Sequence, residues 1–348
     1  MGEPALLIFK GSWAEYQHAR YPKGHPEGGR FRPMRAAAGA ATATVAQLAF
    51  AFPEPTFTRR AREFLEKHLP KDTRHQLVRT TQGGSTVVSI PVTNYRCEAV
   101  VPSHVVDEYD ALMREFRKEH GFDVKVWKWP EHTAGALMVH ASLADFPANA
   151  RALVKDHGYS LYISGAKSTG KTSGVTNFER LRVILYPLHR SWERHAGTVW
   201  HEMAHAVLSV LGERAARGDK NIKEAWINFS GASKTERGVS DYAHAWWMRD
   251  LKAQIRGRTA NTWHPAETIR TRLLADQEWE AWEQVRAGKG VLDDSFTMDV
   301  FPQENFADIV RAASDGGRWD ESRLNKLAER HRLTVPAFRK LIAWIDKG

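Results

Sequence analysis

Three observations on this 348-residue chain predict an α+β fold. Short runs of alternating or continuous apolar residues at 85–92, 124–129, 161–164 and 181–187 read as strands. Apolar residues recur at helical spacing at 59–68, at 105–120 and around 199–211. Only about ten residues separate Lys171, where a crossover helix would have to open, from the strand at 181–187, and a parallel crossover generally needs a dozen or more, so a regular alternation of strand and helix is not expected.

Residues 1–55 stand apart from the rest. The stretch from Arg20 to Phe31 is rich in Gly, Pro and charge and predicts a mobile basic arm, followed by an Ala-rich linker or helix at 35–51. Residues 56–142 read as an N-terminal mixed α/β domain. Its helix at 59–68 is followed by the strand at 85–92, a helix at 105–120 after a Ser103 cap, and the strand at 124–129. No cluster of ligands or nucleophiles stands out there.

Chemistry is concentrated in residues 143–316. His201 and His205 are four apart in an apolar run formed by Val199, Trp200, Met203, Val207, Leu208 and Leu211, with Gly212 as the expected stop. Positions i and i+4 share a helix face, so both imidazoles can reach one metal ion, and Glu202 lies beside them as a base for a water molecule. A catalytic zinc site needs a third protein ligand and one open position. The helix expected to begin near Pro302 places Glu304 and Asp308 one turn apart on one face, with Phe306, Ile309 and Val310 inward. Glu304 can then serve as the third ligand, while Asp308 accepts the second N–H of a ligand histidine and fixes its tautomer.

With both motifs in view, the chain resembles the gluzincin zinc metallopeptidases. The run Pro302, Gln303, Glu304, Asn305, Phe306, Ala307, Asp308 is similar to the P-x-E-[DN]-F-A-[DE] stretch of the lethal-factor-like zincin subgroup of toxins and effectors. Residues 143–158 and 160–164 look like the subgroup's opening helix and strand, and 181–187 like the strand that returns. The resemblance covers about residues 140–315 and implies a zincin-like metallopeptidase domain. Members often carry a Tyr seven residues before the ligand Glu, where this chain has Thr297. The segment from Gly238 to Ala243 is similar to the one that bears that Tyr, which makes Tyr242 the implied oxyanion donor. His205 and Glu304 are 99 positions apart, and a pair of inserted helices, 245–255 and 265–287, accounts for most of the surplus. Their Trp246, Trp247, Trp263, Trp279 and Trp282 are expected to pack between helices or to wall a substrate groove.

Residues 165–172 match the P-loop pattern letter for letter, ending in Lys171 and Thr172. A phosphate cradle requires a helix to open there, whereas Ser173, Gly174, Val175 and Thr176 make a poor one, and no apolar strand ending in Asp follows to hold magnesium. The stretch is expected to be a basic loop between two strands. Residues 317–348 read as a C-terminal hairpin of two short helices, 322–330 and 335–345, suited to packing rather than to reading DNA.

A single cysteine, Cys97, excludes an internal disulfide. The apolar run at residues 5–9 is too short for a signal peptide or a membrane span, so a cytoplasmic protein is expected. A net charge of +9 favours acidic partners, but nucleic acid has no support beyond that charge. The arm from Pro22 to Phe31 is similar to a segment of phage head-associated and phage-borne effector proteins, which implies capsid or head proteins as partners and a virion-associated location. The expected activity is zinc-dependent hydrolysis of a peptide bond in a protein or peptide substrate. The alternative is a head-associated structural or binding protein that keeps the fold, with a nucleic-acid binder and a P-loop NTPase further behind.

Overall fold

The computed structural model describes residues 57–68, 79–82, 85–92, 95–100, 103–127, 134–164, 173–186, 193–275, 280, 283–284, 292–314 and 319–345. The arm at 1–55, the P-loop look-alike, Trp279 and Trp282 lie outside them. The described chain is mixed α/β and mostly helical, with small sheets. Helix α1 (Phe57–His68) leads into a three-stranded antiparallel meander, β1 (Arg79–Gln82), β2 (Ser85–Val92) and β3 (Tyr95–Val100). Helix α2 (Ser103–His120), strand β4 (Val124–Trp127), helices α3 (Ala134–Asp145) and α4 (Ala148–Asp156), and strands β5 (Ser160–Ser164), β6 (Gly174–Asn177) and β7 (Arg182–Leu185) follow. Then come the long α5 (Glu193–Ala216), α6 (Lys220–Glu236), α7 (Asp241–Ile255), β8 (Thr262–Trp263), α8 (Pro265–Ala275), β9 (Met298–Asp299), α9 (Val300–Ala313), α10 (Glu321–Arg330) and α11 (Thr334–Ile342).

The central sheet has the order β4-β5-β7-β6. Strands β4, β5 and β7 are parallel, and β6 is antiparallel to β7, with Gly174 opposite Leu185 and Thr176 opposite Val183. The expected loop between β5 and β7 therefore contains a strand, because Val175 and Thr176 suit a pleated edge far better than a helix. Beyond the described gap at 165–172 the chain continues as strand from Gly174, where a phosphate cradle would have required a helix.

Helix α5 runs against this sheet and is buried on every side from Val199 to Leu211. Val199, Trp200, Met203, Ala204, Ala206, Val207, Leu208, Val210 and Leu211 are all buried, which marks a helix enclosed by the core rather than laid on its surface. Gly212 does not stop it. A Cβ at Gly212 would lie 2.5 Å from Met298 Sδ and 2.8 Å from Trp263 Cζ3, so glycine there gives the β8–β9 pair room against a helix that continues to Ala216. Helix α9 packs along α5 through Phe306, Ile309 and Val310, and α11 adds Phe338 and Leu341 behind it. The C-terminal hairpin is thus built into the main core.

Two core clusters meet on α3. Ala136, Val139 and Leu143 join the main core, while Leu137, Met138 and Ala141 join a second core with Phe64, Leu65, Tyr109 and Phe116 of α1 and α2. Asp145, at the end of α3, accepts the backbone N–H groups of Phe57 at 3.3 Å and Thr58 at 2.8 Å and so caps α1 from a distance. The expected boundary between residues 142 and 143 falls inside this shared helix. The helix anticipated over 143–158 is divided at Pro147, which ends the reach of α3 and opens α4.

Candidate metal centre

Helix α5 presents His201, Glu202 and His205 beside edge strand β6 of the central sheet, where α9 packs against α5. His201 Nε2 lies 3.2 Å from His205 Nε2, and Glu304 Oε2 of α9 lies 3.3 Å from His201 Nε2 and 3.4 Å from His205 Nε2. Two imidazole nitrogens and one carboxylate oxygen thus form a nearly equilateral triangle. The three side chains are buried or nearly so, and this group can hold a metal ion. Burial alone would raise the Glu304 pKa, but the adjoining His205 and His201 hold it well below the usual carboxylate range. Burial also opposes charge on His201, yet hydrogen bonding to Asp308 and Glu304 outweighs it and pushes the ring up to about 9.

Asp308 stands one turn beyond Glu304, buried, with Oδ1 3.4 Å from His201 Nδ1. Its carboxylate favours hydrogen on Nδ1, so that when a metal displaces the other proton it is Nε2 that would be free to bind it. Ser240 Oγ donates to Asp308 Oδ2, and Arg311 Nη2 lies 2.9 Å from Oδ1. Burial works against the Asp308 charge, and Arg311, His201 and Ser240 together keep its pKa low. The same Ser240 hydroxyl caps α7 by accepting the Ala243 N–H at 3.0 Å.

That cap starts α7 so that Tyr242 reaches the site. Its hydroxyl donates to Glu304 Oε2 at 3.1 Å, and its ring sits edge-on to His201 with centroids 6.0 Å apart. Burial first, and the Glu304 charge second, raise the Tyr242 pKa, so the phenol keeps its proton and remains a donor. Asn305 is fully buried beside Glu304. It accepts the Val239 N–H at 2.9 Å and donates to Ser233 Oγ at 2.9 Å, fixing the turn before α7 against α9. The sequence offered Asn305 only as a letter of a motif.

Glu202 lies outside the triangle, on the side facing the sheet. Thr176 Oγ1 of edge strand β6 is 2.8 Å from Glu202 Oε2 and 3.0 Å from the Glu202 carbonyl oxygen. Gly174, two residues earlier on the same strand face, presses against the Glu202 side chain. A Cβ there would lie 2.6 Å from Glu202 Cγ and 2.9 Å from Oε1. Burial raises the Glu202 pKa, with His201, His205 and Thr176 pulling the other way, so its basicity is increased. Neither Thr176 nor Gly174 was singled out from sequence, because only the pairing of β6 with β7 brings them to residue 202. No alternation across Gly174 and Val175 announced a strand.

Trp263 packs against Phe178 in a tilted pair with centroids 4.6 Å apart and donates its indole N–H to Thr268 Oγ1 at 2.7 Å. Trp246 and Trp247 of α7 are only half-buried. No protein-family model, no curated protein and no solved structure matches this chain.

Proposed function

We propose that this protein is a zinc-dependent peptidase of the lethal-factor-like zincin type. The observation that carries the proposal is the ligand triangle with an uncoordinated glutamate beside it. For zinc–ligand bonds of about 2.0–2.1 Å, a tetrahedron has edges of roughly 3.3–3.4 Å, and the three separations are 3.2, 3.3 and 3.4 Å. Two imidazoles with one carboxylate and one open position suit catalytic zinc, whereas structural sites close all four positions. A buried glutamate that binds no metal has no purpose in a structural site, which weighs against a protein that merely keeps the fold.

A zinc held by His201, His205 and Glu304 would supply a Lewis acid that lowers the pKa of water and polarises a carbonyl. Glu202, with its raised pKa, is the base that would take a proton from the attacking water and pass it to the leaving amine. Thr176 holds the carboxylate in place during both transfers. Tyr242 directs a neutral hydroxyl at the site from the Glu304 side and turns it to the carbonyl oxygen as negative charge develops. Asp308 and Ser240 keep His201 in the ligating tautomer.

From the motif resemblances alone we further propose a phage origin, with capsid or head proteins engaged through the arm between Pro22 and Phe31. No described helix is long and apolar enough to cross a membrane. The test is a comparison of wild type with Glu202→Gln on a quenched fluorescent peptide library, with zinc measured in both. Equal zinc and a loss of turnover of about 10²–10⁴-fold are expected. Undiminished turnover in Glu202→Gln would remove the mechanism.

A further inference from the structure

A continuous chain of contacts leads away from the metal ligands along one side of α7. Tyr242 donates to Glu304, and the Trp246 indole N–H in turn donates to the Tyr242 hydroxyl oxygen. The Arg249 guanidinium then lies over the Trp246 ring, 4.9 Å from its centroid. Positions 242, 246 and 249 are spaced i, i+4 and i+7 and so share a helix face. Next to this row, Trp247 stacks with His244 at 5.3 Å and carries the Arg237 guanidinium 5.1 Å from its centroid. Arg237 is the left-handed cap of α6, with φ 61°, a conformation that folds the chain back toward α7. Among the described residues neither Arg237 nor Arg249 pairs with a carboxylate, and Arg249 is exposed while both indoles are half-buried.

Two cations that form no ion pair among the described residues, each over an indole and with only a coulombic interaction between Arg249 and the buried Asp250, are displayed beside the candidate metal centre. We infer that the α7 face of Tyr242, Trp246 and Arg249, with Arg237 and Trp247 beside it, is a substrate wall that selects peptides with an acidic side chain. This inference rests on the peptidase reading. Seven helical residues rise about 10 Å, and an extended peptide covers that distance in about three residues. Arg249 therefore meets the side chain about three positions from the bond cut at the metal. The cation–π contact of each arginine with an indole restrains its guanidinium, which reduces the conformational cost of binding a carboxylate.

The experiment has two arms. Wild type and Arg249→Glu digest a proteome-derived peptide library, and cleavage sites are mapped by mass spectrometry. Asp and Glu should be enriched about three residues from the cleaved bond on one side in wild type, and Lys and Arg should replace them in Arg249→Glu. In the second arm, zinc-loaded Glu202→Gln binds rhodamine-labelled decapeptide pools containing Glu or Gln, read by anisotropy. The Glu pool should bind about 3- to 10-fold more tightly, and Arg237→Gln with Arg249→Gln should abolish the difference. Cleavage without acidic enrichment, or equal binding of both pools, overturns the acidic wall and leaves the peptidase standing. Arginine-dependent binding of the Glu pool by a zinc-loaded wild type that cleaves nothing keeps the wall and removes the peptidase.

Discussion

On the proposed mechanism, Gly174→Ala should displace the Glu202 carboxylate without disturbing His201, His205 or Glu304. The strand cannot move aside, because β6 is paired residue by residue with β7 from Gly174 to Asn177, and Glu202 is anchored in the buried helix α5. The new methyl would stand 2.6 Å from Glu202 Cγ. Ordinary contact begins near 3.5 Å, so the glutamate side chain must retreat by about 1 Å and give up its bond to Thr176. Forcing a methyl into a filled site costs about 1–3 kcal/mol, and misplacing a reacting group by about 1 Å can cost 10²-fold in rate. A double-mutant cycle separates this contact from any general weakening of the strand. In a Glu202→Ala background the carbon and oxygen atoms that obstruct the methyl are absent, so Gly174→Ala should be nearly neutral there. Urea denaturation of the four proteins, each loaded with equal zinc, gives the coupling directly, and about 1–3 kcal/mol is expected. Additive effects within about 0.5 kcal/mol, or full turnover in Gly174→Ala, would refute the placement of β6 against the base.

Thr176→Val keeps the shape and strand preference of residue 176 but removes the hydroxyl from Glu202; turnover should fall about tenfold or more with zinc retained, and Thr176→Ser should restore most of it. Asp308→Ala should weaken zinc binding by roughly 10–100-fold in a chelator competition, with added zinc partly restoring activity, because His201 loses the group that sets its tautomer. An acid-sensitive pair lies elsewhere, between α2 and α3. His120 Nδ1 accepts the Phe122 N–H at 3.0 Å, so His120 Nε2 carries the hydrogen shared with His140 Nδ1 at 2.8 Å, and both rings are neutral. Burial, with Arg151 and Arg117 adding to it, pushes His120 down to about 3, and burial pushes His140 well below its ordinary value. The unfolded rings take up protons below about pH 6.5 while the folded ones do not. Stability is therefore intact above that pH and lost as pH falls toward 3, at about 1.4 kcal/mol per pH unit for each ring. Denaturation midpoints that stay level from pH 7 to 4.5 would contradict the pair's neutrality, and His140→Asn should shallow the slope.

The centre was readable from sequence because each half is local. His201 with His205, and Glu304 with Asp308, are i, i+4 pairs, and a helix brings such pairs to one face whatever surrounds it. What the sequence withheld depends on contacts between distant residues. Strand β6 takes its identity from pairing with β7, so Gly174 and Thr176 looked like the tail of a P-loop, and their approach to Glu202 has no local signature. Helix α3 escaped notice because it is apolar and buried on every side from Ala134 to Ala144, leaving no polar face to reveal a period. Gly212 looked like a helix stop because glycine commonly is one, while its role here is to admit Met298 and Trp263. The cap of α1 by Asp145, 87 positions from Thr58, is equally invisible along the chain.

The claim at the centre of this account is that His201, His205 and Glu304 hold one zinc with a position left open. X-ray absorption at the zinc edge of the purified, stoichiometrically loaded protein tests it most directly. The account predicts four nitrogen or oxygen ligands at about 2.0–2.1 Å, two of them with the outer-shell scattering of imidazole, and loss of one imidazole signature in His205→Ala. Failure to retain one zinc per chain, or a zinc shell unchanged by His205→Ala, would contradict it.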